Sequence, residues 1–289
     1  TNPTGEIEVL ITHAELLSKS KLPPFEIGDQ KEGVLPDEDT RMKYRYLDLR
    51  RTDMIRTMEF RSKLVHLARV YLESKGFLEI ETPILGRSTP EGARDYIIPS
   101  RVHPGTFYAL PQSPQQFKQM LMVGGMDRYY QVARCFRDED RQPEFTQLDI
   151  EMSFVDSKDI QDMIEGMVAY MWKGLYGTEL KTPFPHIGYR DAMERFGSDK
   201  PDMRYGLEFV KLTDVVRDVP YKIFQSILAE NGIVAGICIK KEMGEVGRNE
   251  VDRYIQYAKK VGLGGLTWMR CENGVLTSNI TKYFTPEIL

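Results

Sequence analysis

From Thr40 to Phe77 the chain reads as helix. Met54, Met58, Val65, Ala68 and Leu72 fall on one apolar stripe at helical spacing. Gly76 follows where a left-handed residue would close the helix. Residues 77–80 read as a strand stopped by Thr82-Pro83. Between 95 and 154 the period shortens, and strands are predicted over 95–99, 106–110, 129–136 and 145–154. One helix interrupts them, SPQQFKQMLMVGG, with Ser113 as its natural N-cap, Pro114 at its first position and Gln116 completing a capping box. A long helix is predicted from about Lys158 to Tyr176, ended by Gly177. Ahead of all this, residues 7–12 read as a strand, a short helix starts at about Ala14, and 26–39 form an acidic linker. After a break near 197–206, helices over 222–230 and 249–261 alternate with strands over 232–239 and 265–270, a small α+β module.

The alternation in 145–154 is strict. Phe145, Gln147, Asp149, Glu151 and Ser153 share one face, and Thr146, Leu148, Ile150, Met152 and Phe154 the other. In 129–139 one face carries Gln131, Ala133, Cys135, Arg137 and Glu139. Two such strands close in sequence predict an antiparallel hairpin with an apolar back and a polar front. A sheet with one solvated face accounts for the same pattern. Two details favour a site. Ala133 and Cys135 leave room above the sheet, and the connection RDEDRQPEF is too charged for a tight turn and suits a polyanion.

Composition narrows the class. The 289 residues hold 41% hydrophobic and 10% aromatic side chains, enough for a core and against a disordered chain. With 39 basic and 43 acidic residues the formal charge is −4, which argues only weakly against nucleic acid because a local patch can still bind it. No apolar run suits a membrane span and no signal pattern opens the chain. Cys135, Cys238 and Cys271 lie far apart, against a disulfide framework or thiolate metal site and in keeping with a reducing, cytoplasmic compartment. The four histidines, His13, His66, His103 and His186, show no metal or triad spacing.

Two further groups are candidates. Lys118 lies near the start of the helix opened by Ser113, where the helix dipole disfavours a cation by a few tenths of a kcal/mol unless an anion binds there. A solvated lysine remains the plainer alternative. The turn STPEGARDY offers Glu91 and Asp95, which a salt-bridged surface loop would equally explain.

In this order, three segments carry a family likeness. GFLEIETPIL resembles motif 1 of class II aminoacyl-tRNA synthetases. CFRDED followed by RQPEFTQLDIEMSF resembles motif 2. RYLDLRR, STPEGARDY and FYALPQSPQQFKQMLM resemble the bacterial-type aspartyl branch of that family. The resemblance implies an α+β fold, an antiparallel sheet flanked by helices. It divides the chain into the end of an OB anticodon-binding domain (1–30), the first part of a catalytic domain (31–205) and an insertion domain (206–289). It also implies a longer enzyme, because motif 3 is not in this sequence and the motif 2 loop is about four residues short of the family's.

What the resemblance implies for chemistry is activation of L-aspartate with ATP to aspartyl-adenylate, then transfer to the 3′ end of tRNA-Asp, with tRNA-Asn left open as a second acceptor. Arg137 is the expected catalytic residue. Arg137, Asp138, Glu139, Gln142 and Phe145 are the expected ATP-binding residues, with Phe145 stacked on adenine. Glu91, Ser113, Gln115, Lys118, Arg137 and Asp149 are expected to bind aspartate, Lys118 through the side-chain carboxylate. Mg²⁺ is expected on the ATP phosphates, with no metal ligand among these residues, and a homodimer through motif 1. The alternatives are another class IIb synthetase, a synthetase-like asparagine synthetase, or a non-catalytic tRNA-binding module.

Overall fold

A computed structural model describes residues 9–27, 35–139, 142–244 and 246–288. Two compact units divide between Phe184 and Pro185.

The first unit opens on residues 9–27, which form neither the strand nor the helix expected of them; positions 7 and 8 lie outside the described residues. Leu10, Leu16, Leu17 and Leu22 stand exposed. With no neighbouring strand to complete a ladder and no apolar surface to cover them, the local pattern has nothing to stabilise it. The expected single helix over 40–77 is three: α1 (Glu38–Lys43), α2 (Arg45–Asp48) and α3 (Thr52–Ser74). The break serves a buried charge. Asp48 is fully buried and accepts from Arg45 and from Arg51 Nη1 at 2.9 Å. A carboxylate removed from water needs those partners. The apolar stripe of α3 is half used: Ala68 and Leu72 are buried, while Met58 is exposed. Gly76 takes φ +78°, as its position after the helix predicted.

The strands follow the alternation except at the end of the stretch expected over 145–154, which stops at Met152: Phe154 takes φ +57° and stands exposed instead of joining the apolar back. β1 (Leu78–Glu79) pairs parallel to β4 (Arg128–Phe136), and β4 pairs antiparallel with β5 (Glu144–Met152). Beside this sheet, β2 (Ile97–Pro99) and β3 (Phe107–Ala109) form a separate hairpin. α4 (Gln115–Val123) precedes β4, and α5 (Ser157–Tyr176) follows β5, closed by Gly177 at φ +72°. The back of the sheet forms the core, where Tyr130, Leu148, Ile150 and Met152 meet Leu72 of α3 and Met163 and Met167 of α5. Gly166 and Gly174 let α5 approach α3. A methyl group at Gly166 overlaps the Tyr71 hydroxyl, and one at Gly174 sits 2.7 Å from Leu67 Cδ1.

The loop over 88–95 is tied down by Gln112, which is 2% exposed. Its Oε1 accepts from the Ala93 amide at 3.0 Å, and its Nε2 donates to the Ala93 carbonyl at 2.9 Å and to Asp95. Burial works to raise the Asp95 pKa, but donation from Ser88, Gln112 and the Thr89 amide outweighs it and lowers the value.

The second unit packs Val216, Val219, Phe224, Val234 and Ile280 into its own core. Around it stand α6 (Tyr189–Phe196), β6 (Phe209–Lys211), α7 (Lys222–Ala229), β7 (Ala235–Ile237), α8 (Arg248–Lys260), β8 (Arg270–Glu272) and β9 (Val275–Thr277). β6 pairs with β7, and β8 with β9. The last strand expected over 265–270 lies further on, because Asn273 and Gly274 take positive φ and turn the chain into a hairpin there.

Gly166→Ala gains helix propensity of about 1 kcal/mol yet is expected to lower stability by about 1–3 kcal/mol through overpacking. Tyr71→Phe removes the clashing oxygen and should recover most of that loss, a non-additivity that chemical denaturation of the four variants measures. For Asp95 the folded pKa lies below the unfolded one. Its contribution is therefore complete above the unfolded value, ~3.9, and is lost as pH falls through the lower folded value. The protection of the Ala93 amide, measured relative to the intrinsic exchange rate at each pH, should hold near neutrality and fall only below about pH 4.

Candidate active site

The β4–β5 register sets the front of the sheet. Tyr129 pairs with Glu151, Gln131 with Asp149, Ala133 with Gln147 and Cys135 with Phe145. Polar side chains from both strands therefore share one face, as the alternation predicted, and small Ala133 and Cys135 lie buried between them.

α4 places Lys118 against this face. The expected Ser113 cap and its box with Gln116 do not form: Pro114 is the N-cap residue and no side chain caps the helix. Ser113 Oγ instead donates to Glu91 Oε2 at 2.7 Å, and Thr89 Oγ1 donates to Glu91 Oε1 at 3.1 Å. A carboxylate is a stronger acceptor than a backbone amide is a donor, so the hydroxyl turns to the loop. Lys118 is 9% exposed. Its Nζ lies 2.8 Å from Asp149 Oδ1 and 3.2 Å from Glu151 Oε2. Burial works against the ammonium, but the bond and charge of Asp149, then of Glu151, outweigh it and raise its pKa. The solvated-lysine alternative is thereby excluded. Gln115 is half-buried on the same helix.

Arg137 follows β4. Its guanidinium lies 4.9 Å from the centre of the Phe145 ring, and its Nε is buried without a hydrogen bond. Its amide donates to the Pro143 carbonyl at 2.9 Å, which begins the return of the charged connection. Asp138, Glu139 and Gln142 are exposed along that connection. The Asp138 amide donates to the Arg94 carbonyl at 2.9 Å, and Arg94 Nε and Nη2 donate to the Asp138 carbonyl at 3.2 and 3.1 Å. The loop bearing Glu91 is thus fastened to the connection after Arg137.

One thiol reports how close these charges lie. Burial pushes Cys135 up to about 11, the charges of Asp149 and Glu91 add to the rise, and Arg137 opposes it. Cys135 is therefore a neutral thiol rather than a nucleophile, and Arg137, Asp149 and Glu91 all act on it. Lys118 joins the same group through Asp149. A cleft of about 40 Å³ takes in Glu91 and Ser113 of the expected residues, with Thr89, Gln116 and Phe117 beside them, whereas Gln115, Lys118, Arg137 and Asp149 do not line it. Among the described residues, no group of three or more His, Cys, Asp or Glu side chains is placed to hold a metal ion.

Three contributors escaped the sequence reading. Gln112 and Arg94 lie in segments without periodicity, and only burial and loop contacts identify them. Glu151 stood on the predicted front, but nothing in the sequence assigned it to Lys118.

Residues 37–272 match the family model described as tRNA synthetases class II (D, K and N). The aspartate–tRNA ligase of Geobacillus kaustophilus is 51% identical over 288 residues, which is 98% of this chain and 48% of the relative. The aspartate–tRNA(Asp/Asn) ligase of Anoxybacillus flavithermus is 50% identical over 289 residues, 99% of this chain and 48% of the relative. The chain spans about half the length of the curated relatives it matches. A match over most of the chain, on segments that form one polar-fronted sheet, makes the chain a member of the class II tRNA synthetases of the D, K and N type.

Proposed function

We propose that this chain supplies the amino-acid and nucleotide floor of an ATP-dependent aspartate–tRNA ligase. The observation that carries the reading is a buried ammonium, Lys118, on the same polar face as a guanidinium whose Nε has no partner. Two cations so placed suit a ligand with two separated anionic groups. Aspartate offers a side-chain carboxylate to Lys118 and an α-carboxylate to Arg137. Glu91, oriented by Ser113 and Thr89, takes the ammonium together with Asp149. Gln115 lines the amino-acid pocket.

In the first step an oxygen of the α-carboxylate attacks the α-phosphorus of ATP, and the bond to the leaving pyrophosphate breaks. No protein nucleophile is required. Arg137 bridges the attacking carboxylate and the α-phosphate, where a planar fork fits both. Asp138, Glu139 and Gln142 belong to the nucleotide side, and Phe145 stacks on adenine. That assignment asks Phe145 to carry the guanidinium of Arg137 and the base together. Mg²⁺ accompanies the ATP phosphates and is given no ligand among the described residues. The aspartyl group then passes to the terminal ribose hydroxyl of tRNA-Asp.

We extend the proposal to the assembly. Ile55 and Met58, one turn apart on α3, are exposed apolar side chains, which supports a homodimer through the motif 1 helix. Residues 1–30, 31–205 and 206–289 are assigned to the end of an OB domain, the first part of the catalytic domain and an insertion domain. No helix among the described residues is long and apolar enough to cross a membrane, and a cytoplasmic enzyme is the reading we adopt.

Lys118→Ala in the full-length protein is expected to raise the aspartate KM and lower kcat in aspartate-dependent pyrophosphate exchange, by roughly a hundredfold or more in kcat/KM. A value within about threefold of wild type would remove Lys118 from the site. Arg137→Ala should lower kcat by roughly a hundredfold or more, as loss of a preorganised charge does. An unchanged exchange rate would refute its role.

A further inference from the structure

Asp149 is held on one side only. Lys118 Nζ takes its Oδ1 at 2.8 Å, while Oδ2 is buried with no hydrogen bond. Directly opposite Asp149 in the ladder stands Gln131. Gln131 Oε1 accepts two hydrogen bonds, from Thr82 Oγ1 at 2.9 Å and from the Tyr129 hydroxyl at 2.8 Å. Tyr129 is fully buried. Burial first, then the Asp149 charge and the closeness of its carboxylate to the hydroxyl, raise its pKa, so the phenol keeps its proton. That one proton is aimed at the amide oxygen at 2.8 Å, while the Asp149 carboxylate lies close enough to act on the same hydroxyl and its Oδ2 makes no full hydrogen bond. If Tyr129 turned away, Thr82 would still satisfy Gln131.

The charges around Lys118 give the turn a purpose. One ammonium already faces two carboxylates, Asp149 and Glu151. A third carboxylate, from an acidic amino acid, would compete for the same ammonium and loosen its bond to Asp149 Oδ1; the substrate ammonium, shared with Glu91, offsets only part of that loss and leaves one Asp149 oxygen in want of a fixed donor in a low-dielectric site. An adjacent hydroxyl able to change acceptors offsets that loss without moving the backbone.

We propose that Tyr129 is a positioning residue for acidic amino acids: its hydroxyl turns from Gln131 Oε1 to Asp149 Oδ2 when a substrate carboxylate takes up Lys118, and Thr82 keeps Gln131 satisfied meanwhile. The inference rests on the reading that Lys118 binds the side-chain carboxylate. It concerns hydrogen bonds only, with no covalent or redox step. It also distinguishes aspartate from asparagine, because an amide side chain leaves Lys118 with Asp149 and gives Tyr129 no cause to move.

The test uses the full-length protein in pyrophosphate exchange, with asparagine as a competitive inhibitor. Tyr129→Phe should raise the aspartate KM roughly tenfold or more, the loss of a hydrogen bond to a charged group. The ATP KM and the asparagine inhibition constant should stay within about twofold. Thr82→Val, which leaves Tyr129 as the remaining donor to Gln131, should raise the aspartate KM several-fold with the same selectivity. An unchanged aspartate KM in Tyr129→Phe overturns the inference, and so does equal weakening of aspartate, asparagine and ATP, the mark of a merely structural role. If Tyr129→Phe does not fold, Thr82→Val decides alone, and an unchanged aspartate KM there overturns it. Should the wild type show no aspartate-dependent exchange, the reading of Lys118 falls and takes the inference with it. Exchange in the wild type with an unaffected Tyr129→Phe removes the inference alone.

Discussion

Register is the constraint on which the site depends. Gln131 faces Asp149 and Tyr129 faces Glu151 because β4 and β5 pair without a bulge from Arg128 opposite Met152 to Phe136 opposite Glu144. A slip by one residue would turn Asp149 and Glu151 toward Leu72 and Met163 and bring Ile150 beneath Lys118. Carboxylates would then enter an apolar core and an ammonium would lose its partners, each a cost of several kcal/mol. The buried back of the sheet and the charged front therefore enforce the same pairing from opposite sides. The burial of Tyr130, Leu72 and Met167 holds the frame, and the front uses it.

That frame supports an electrostatic arrangement which is unbalanced without a ligand. Lys118 meets more negative charge than it carries, whereas Arg137 keeps an unpaired Nε over the ring of Phe145. Buried polar groups are usually satisfied within the protein, and unsatisfied ones gather where a ligand completes them. Among the described residues the two orphaned side-chain atoms, Arg137 Nε and Asp149 Oδ2, belong to groups of opposite sign at the front of the sheet. The pattern suits a molecule that is itself both cation and anion, as a free amino acid is.

Much of this was legible in the chain, and unevenly. Strict alternation revealed the strand as far as Met152, its two faces and the company of Asp149 and Glu151, because a period of two fixes which residues share a face; Phe154, which continued the pattern, turns out of the ladder. The oddly placed Lys118 signalled an anion. Its protein carboxylates could not be read, since they come from another element about thirty positions on. Ser113 shows the same limit from the other side. Its sequence fits a helix cap perfectly well, and a contact with Glu91 overrides it. The described part of the expected strand, residues 9–12, and the stretch from Ala14 carried strand and helix signals that nothing in the described structure stabilises. Asn273-Gly274, by contrast, was readable as a hairpin turn from the dipeptide alone, but the apolar residues before it drew the strand toward 265–270.

Loops and sheet are joined in a way that neither pattern announces. Gln112 grips both backbone groups of Ala93, and Arg94 exchanges hydrogen bonds with the backbone of Asp138. The loop that presents Glu91 and the connection that follows Arg137 consequently cannot move apart without breaking several bonds at once. An amino acid held by Glu91 and a nucleotide held beyond Arg137 would each stabilise the same clamped arrangement. Each ligand would then bind more tightly once the other had ordered the clamp, a reciprocity that linkage requires of any shared two-state element. The sheet fixes where the charges stand, and the bonds of Gln112 and Arg94 tie the loop of Glu91 to the connection after Arg137.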